Sequence, residues 1–248
     1  MPVMDEFREE REAIKNGSLS YKLKYIWDYY KWVIIGVLIA IPIIISIVKD
    51  IVNAKDYIFY GLFLNSYSPT ETIEEYMAGF AEEYQLDTEN YQIELDSSLS
   101  MVVDNYDEGS LATINRIIAS LSVGELDFLA ADPAVFEHYA TQNTFHDLSN
   151  MLTAEQKEKL APYFFYIDGA EAEKRMNSDD AIAYTPKEYD HQDPESMEKP
   201  LLVGLCIQDS PSLSKMFVFK DTKTIFGIPA GCKHAETSLQ FIDYIFKE

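Results

Sequence analysis

Acidic side chains dominate the polar chemistry open to this chain. Asp96 and Asp132 end two apolar runs, where paired carboxylates could serve as general acid and base. With 42 Asp and Glu among 248 residues, such pairs arise by chance, so this one carries no reaction by itself. The histidines, His138, His146, His191 and His234, show no metal-like spacing, and Cys232-Lys233-His234 is half of a metal motif without its second half. No serine lies in a nucleophile-elbow context, and no glycine-rich phosphate loop follows a strand. The expectation is a protein that is not an enzyme and carries neither metal nor cofactor. What remains is a set of residues suited to binding: Asn65, Ser66, Tyr67, Asp96, Ser97, Ser98, Asp132, Asp209 and Ser210. Each has a structural alternative. Asp132 can cap a helix, Ser66 and Ser68 can form a turn, and Asp209-Ser210-Pro211 is itself a turn sequence. Tyr76, Phe80 and Tyr84 read as core at helical spacing rather than as a binding cage.

The elements that must position these residues alternate in type. Residues 55–65 (KDYIFYGLFLN) read as a strand, and Ser68 with Glu71, around Pro69, reads as a capping box. Ile73, Tyr76, Met77, Phe80 and Tyr84 then carry a helix. A strand over Tyr91 to Leu95 follows, then a helix striped by Leu111, Ile114, Ile117, Ile118 and Leu121. Gly124 leads into a third strand ending at Ala131, and Asp132-Pro133 opens a third helix. This order predicts an α/β fold with a parallel or mixed sheet flanked by helices. In such sheets ligands gather beyond the carboxyl ends of the strands, which is where the binding set falls. Thr153 with Gln156 opens another helix. Residues 160–200, polar from Asp168 on, read as a flap or a reduced lobe. Strands over Leu201 to Ile207 and Thr224 to Pro229, then a helix from about Ala235 to Phe246, close the chain.

Ahead of this body lies an uncharged run, Trp32 to Val48 (WVIIGVLIAIPIIISIV), between Lys31 and Lys49. As a helix it covers roughly 25 Å, close to the hydrocarbon thickness once its aromatic neighbours Tyr25, Trp27, Tyr29 and Tyr30 are counted. An uncleaved transmembrane anchor over 32–48 is the expected reading. A cleaved signal peptide is its rival, since Val52-Asn53-Ala54 looks like a cleavage site, and a buried core helix is the third. Pro42 should kink the helix, and Gly36 offers a smooth spot for a partner helix. Lys15, Lys22, Lys24 and Lys31 precede the run, against Lys49 and Lys55 after it. That bias places residues 1–31 as a cytoplasmic juxtamembrane head, 49–55 as a linker and 56–248 as an extracellular domain of a single-pass cell-membrane protein. In the head, mixed charges over Arg8 to Lys15 suit a helix that Asn16-Gly17-Ser18 then breaks.

Residues 56–248 hold 12 Lys and Arg against 35 Asp and Glu, a net charge of −23. Nucleic acid is therefore excluded as a partner class, because phosphate binding needs clustered cations. Cys206 and Cys232 follow or close strands and could form a bridge or remain free.

Two stretches carry a family likeness. GELDFLAADPAVFEHYATQNTFHDLSNMLTAEQ (124–156) resembles the part of extracellular, type 2 periplasmic-binding-like solute-binding proteins in which a strand reaches the cleft, a helix follows and an F-x-D-L-S phrase leads onward. IFGIPAGCKHAETSLQFIDYIF (225–246) resembles the same family's closing strand and helix. The resemblance implies a bacterial envelope protein that binds a small solute between two α/β lobes and passes it to a transporter. The chain departs from the pattern in its short 160–200 region and in its anchor helix. These readings predict an anchored, solute-binding-like domain acting as a fixed receptor or complex subunit for a small molecule or peptide. The alternative is a non-catalytic interaction module that docks a membrane-protein partner.

Overall fold

The computed structural model describes residues 18–53, 55–103, 107–177, 187–213, 218–219 and 223–247. The chain divides into two units, Met1–Ala54 and Lys55–Glu248. The described part of the first is one helix, α1 (Leu19–Asn53), which runs unbroken through Pro42. Its stretch Tyr30–Lys49 is long and apolar enough to cross a membrane, and a signal sequence would meet the same test. Side chains from Trp32 to Val48 are largely exposed, which does not fit a buried core helix. The mixed-charge head and most of its predicted break lie outside the described residues.

The second unit is built on one six-stranded sheet. Its strands are β1 (Tyr57–Phe63), β3 (Gln92–Asp96), β4 (Phe128–Ala131), β5 (Phe164–Asp168), β6 (Pro200–Cys206) and β8 (Ile225–Gly227), in the order β3-β1-β4-β8-β6-β5. The two-residue strands β2 (Ser66–Tyr67) and β7 (Val218–Phe219) form a separate antiparallel pair. The expected parallel arrangement holds for β3, β1 and β4. Beyond β4 the sheet turns antiparallel, at β8, β6 and β5 in turn.

Helices cover both faces: α2 (Thr70–Glu83), α3 (Glu108–Val123), α4 (Pro133–Ala140), α5 (Ala154–Leu160), α6 (Gly169–Met176) and α7 (Ala235–Ile245). Alternation along β1 divides the core. Phe59 and Phe63 pack with Met77 and Phe80 of α2 and Phe241, Ile242 and Ile245 of α7. Tyr60, Leu62 and Leu64 face Ile117 of α3 and Val135, Phe136 and Tyr139 of α4. Gly61 leaves room for the Phe128 ring, into which a Cβ there would run. Phe128 in turn stacks on Phe226 and Phe241, with centroids 4.7 and 5.2 Å away.

Local signals explain most boundaries. Asp132 caps α4 by accepting from the Val135 N–H at 3.2 Å, with Pro133 in the first turn. Thr153 and Gln156 form a reciprocal capping box on α5, at 2.9 and 3.2 Å. Gly124 ends α3 in the left-handed conformation at φ 69°. The expected capping box on α2 does not form. Pro69, at φ −59° and ψ 137°, is the residue before the helix, so Ser68 stands one position too early to reach a first-turn N–H. Its hydroxyl is buried and has no hydrogen-bond partner. Leu111 and Ile118, expected in the core stripe of α3, are 43% and 52% exposed, because only the Ile117 side of that helix meets the sheet.

Within 160–200 one strand, β5, joins the main sheet, and α6 follows it. β5 pairs with β6 from Phe164↔Leu205 to Asp168↔Pro200 and is the far edge strand. Its open side is shielded by His191. The Tyr166 N–H donates to the His191 carbonyl, and His191 Nδ1 lies 2.8 Å from the Tyr166 carbonyl. The His191 ring also stacks on Phe165 at 4.3 Å. Both cysteines are free, so the option of a Cys206–Cys232 bridge falls away. Cys206 pairs with Ile225 at the start of β8, whereas Cys232 lies beyond its other end.

Candidate functional site

Because β3, β1 and β4 run parallel, their carboxyl ends share one edge, and Asp96, Asn65 and Asp132 all lie there. The structure nevertheless separates the nine expected residues. Tyr67, Asp96, Ser97 and Ser98 line a cavity of about 470 Å³ between the end of β3 and the start of α2. Asn65 and Ser66 line another of about 680 Å³, together with Ser100, Met101 and the first turn of α3. Asp132 lines neither. Asp209 and Ser210 follow β6 and lie away from both: Ser210 is fully buried and accepts from the Leu213 N–H at 3.1 Å, the turn-forming role named as its alternative.

Asn65 is committed to structure. It adopts a left-handed φ of 54°, and its Nδ2 donates to the Met101 carbonyl at 2.8 Å and to Asp132 Oδ2 at 2.6 Å. Its Oδ1 accepts from the Met101 N–H at 3.1 Å. Asn65 therefore ties the loop after β3 to the cap of α4, and both of its amide atoms are used.

The cavity at the end of β3 is better equipped. One Asp96 oxygen accepts from the Ser98 N–H at 2.8 Å and from the Ser98 hydroxyl at 2.6 Å, which fixes the turn there. The other faces Arg116 of α3 at 3.0 Å. Arg116 also reaches Glu94 at 3.8 Å and lies 6.0 Å from the Tyr60 ring centroid. Glu94 accepts from the Tyr57 hydroxyl at 2.8 Å. Burial, reinforced by that carboxylate, pushes the Tyr57 hydroxyl up to about 12, so it stays a proton donor at neutral pH. The remaining wall combines Glu74 and Thr70 with Ile73, Met77, Ile93 and Leu95. Ser68, 6% exposed and without a partner for its hydroxyl, also lines this cavity. Arg116 and Tyr57 do not line the cavity; they take up the Asp96 and Glu94 carboxylates from the α3 side of the sheet, while Ile93 and Leu95 face α2.

Sequence reasoning missed Ser68 as a wall residue, and Glu74, Glu94 and Arg116 entirely. Arg116 carried a signal, being the first basic residue after Lys55, with none following until Lys157. A lone cation in an acidic chain has many carboxylates to pair with, and only the fold selects Asp96 and Glu94.

A second polar cluster lies at the opposite, amino-terminal end of β4. Asp127 is fully buried and accepts from the Tyr60 N–H at 2.9 Å and the His234 N–H at 3.2 Å, with His234 Nδ1 at 3.3 Å. Its own carbonyl accepts from the Ser238 hydroxyl at 2.9 Å. Burial pushes the Asp127 carboxyl above the usual range, against the pull of these donors. Burial and the nearby Asp127 charge push the Cys232 thiol up to about 11, the opposite of an activated nucleophile. The cluster clamps β1, β4 and the entry to α7. Among the described residues, no group of three or more His, Cys, Asp or Glu is placed to hold a metal ion.

No protein-family model, curated protein or solved structure matches the chain. The site and its surroundings therefore rest on their own geometry.

Proposed function

We propose that this chain is a membrane-anchored receptor or complex subunit whose 55–248 domain, outside the membrane, binds a small molecule or peptide at the carboxyl end of β3. The observation that carries this reading is the cavity of about 470 Å³, where Tyr67, Asp96, Ser97 and Ser98 converge with an unpartnered Ser68 hydroxyl. Its size lies within the range of small-ligand sites. The basic residues ahead of the apolar run Trp32 to Val48 support an inward amino terminus, and that run within α1 supports an anchor. The likeness to solute-binding proteins supports the same reading, with a one-walled site in place of a cleft between two lobes. An anchored domain of this kind works in place and does not shuttle cargo. Transport chemistry would then belong to a membrane partner.

The test is a thermal-shift screen of the full chain in detergent against sugars, amino acids and short peptides. A ligand at a hundred times its Kd stabilises by about 2.7 kcal/mol, a shift of several degrees. The reading predicts such a shift for at least one of these solute classes, and its loss in Ser98→Trp, which crowds the cavity. A screen in which no solute class moves the midpoint would refute it.

A further inference from the structure

The two edges of the sheet are treated differently. At β5 the outward backbone is shielded by His191, as described above. At β3 no strand is added, and β1 is its single partner in the described sheet. The Gln92 N–H donates inward to the Asp56 carbonyl, and Gly61 lies opposite Leu95. Since backbone groups alternate along a strand, the N–H and C=O groups of Ile93 and Leu95 point to the open side. Such a row is a template for a further strand unless something covers it.

That open edge lies in a groove. A hollow of about 790 Å³ runs between α2 and β3 and shares Glu74, Met77, Ile93 and Glu94 with the cavity at the end of β3, so the two adjoin. The floor is apolar, from Met77, Ile93 and Leu86, and the rim carries Glu74 and Glu82. Glu74 and Glu82 are exposed, and Lys55 is the one cation among the residues lining either hollow. The negative rim selects the partner by charge.

We propose that an extended, basic peptide segment docks here by adding a strand to β3. Its backbone would pair with Ile93 and Leu95, its alternate apolar side chains would enter the Met77–Ile93 floor, and its lysines or arginines would face Glu74 and Glu82. This builds on the reading of the β3-end cavity as a ligand site, into which the end of the peptide would run. It commits that site to a peptide in place of a free solute.

The test titrates the full chain in detergent with a labelled, capped heptapeptide that alternates lysine and valine, followed by fluorescence anisotropy. Saturable binding is expected, with amide hydrogen exchange slowed at Ile93 and Leu95. Methylating the peptide nitrogens that would face β3 should weaken binding at least tenfold, because each removes a strand hydrogen bond. Replacing its lysines by glutamate should abolish binding. The protein variant Glu74→Lys/Glu82→Lys, changed only at exposed positions, should weaken it severalfold at low salt and less at high salt. Equal binding by the methylated peptide, or exchange protection elsewhere, would overturn strand addition. No peptide binding beside a positive solute screen would overturn the peptide and leave the cavity reading standing. Failure of both assays would overturn both.

Discussion

Replacing Asp127 by alanine should be among the most damaging single changes in the 55–248 domain. The carboxylate sits at 0% exposure and answers two backbone donors, the N–H groups of Tyr60 and His234, at 2.9 and 3.2 Å. Removing it strands both inside the protein, and a buried donor left unmet costs about 1–3 kcal/mol. The half-buried His234 ring also loses its acceptor, though water can reach it in part. The total loss should be about 3–5 kcal/mol, a fall of roughly 10 °C in Tm for a domain of this size. Both tryptophans, Trp27 and Trp32, lie in α1, so tryptophan fluorescence would not report on this domain. Near-ultraviolet circular dichroism of its tyrosines, followed through urea or thermal unfolding, is the suitable assay. Asp127→Asn keeps an oxygen for Tyr60 and should lose about half as much. Ser238→Ala removes one hydroxyl bond to the Asp127 carbonyl and should lose about 1 kcal/mol. An Asp127→Ala protein within 1 kcal/mol of the parent would refute the clamp.

Three further outcomes follow from the structure. Burial alone would raise the Asp168 carboxyl, but the N–H groups of Glu198, Lys199 and Ala170 outweigh it and hold the group below the usual carboxylate range. A depressed folded value contributes stability above about pH 4 that disappears as the pH falls through the folded value. Acid titration of stability should therefore be shallower in Asp168→Asn than in the parent. Gly124→Ala forces a side chain into φ 69° and places its Cβ 2.5 Å from the Gly231 carbonyl oxygen, so denaturation midpoints should report a loss of about 2 kcal/mol or more. In thiol titration without reductant, both cysteines should react after denaturation. In the folded protein Cys232 should alkylate slowly at pH 8, since its thiol is pushed up to about 11; fast alkylation would contradict that environment.

The sequence was most readable where a local rule acts alone. Asp132-Pro133 and Thr153 with Gln156 cap the helices they were expected to cap, because capping needs only neighbouring residues. Ser68 with Glu71 has the same pattern and fails, since β2 and Pro69 set the backbone one residue out of step. Strand direction was less legible. Phe128–Ala131 and Ile225–Gly227 are both fully buried apolar runs, yet only the first joins the parallel half. Burial on both faces marks a central strand but does not say which way it runs. β5 was missed because its FFYID pattern adjoins a long polar stretch and only its pairing with β6 reveals it. At the site, position at the strand ends was readable and division into separate cavities was not. Asn65, for example, uses its whole amide to hold Met101 and Asp132, a role that only the folded loop after β3 reveals.

The central claim is that a ligand occupies the cavity at the carboxyl end of β3. Hydrogen–deuterium exchange of the full chain, with and without a solute or peptide that raises its midpoint, tests this most directly. The account predicts slowed exchange confined to residues 66–78 and 92–98, the two walls of that cavity. Protection centred instead on the Asp127 cluster or around β5, with those walls unchanged, would contradict it.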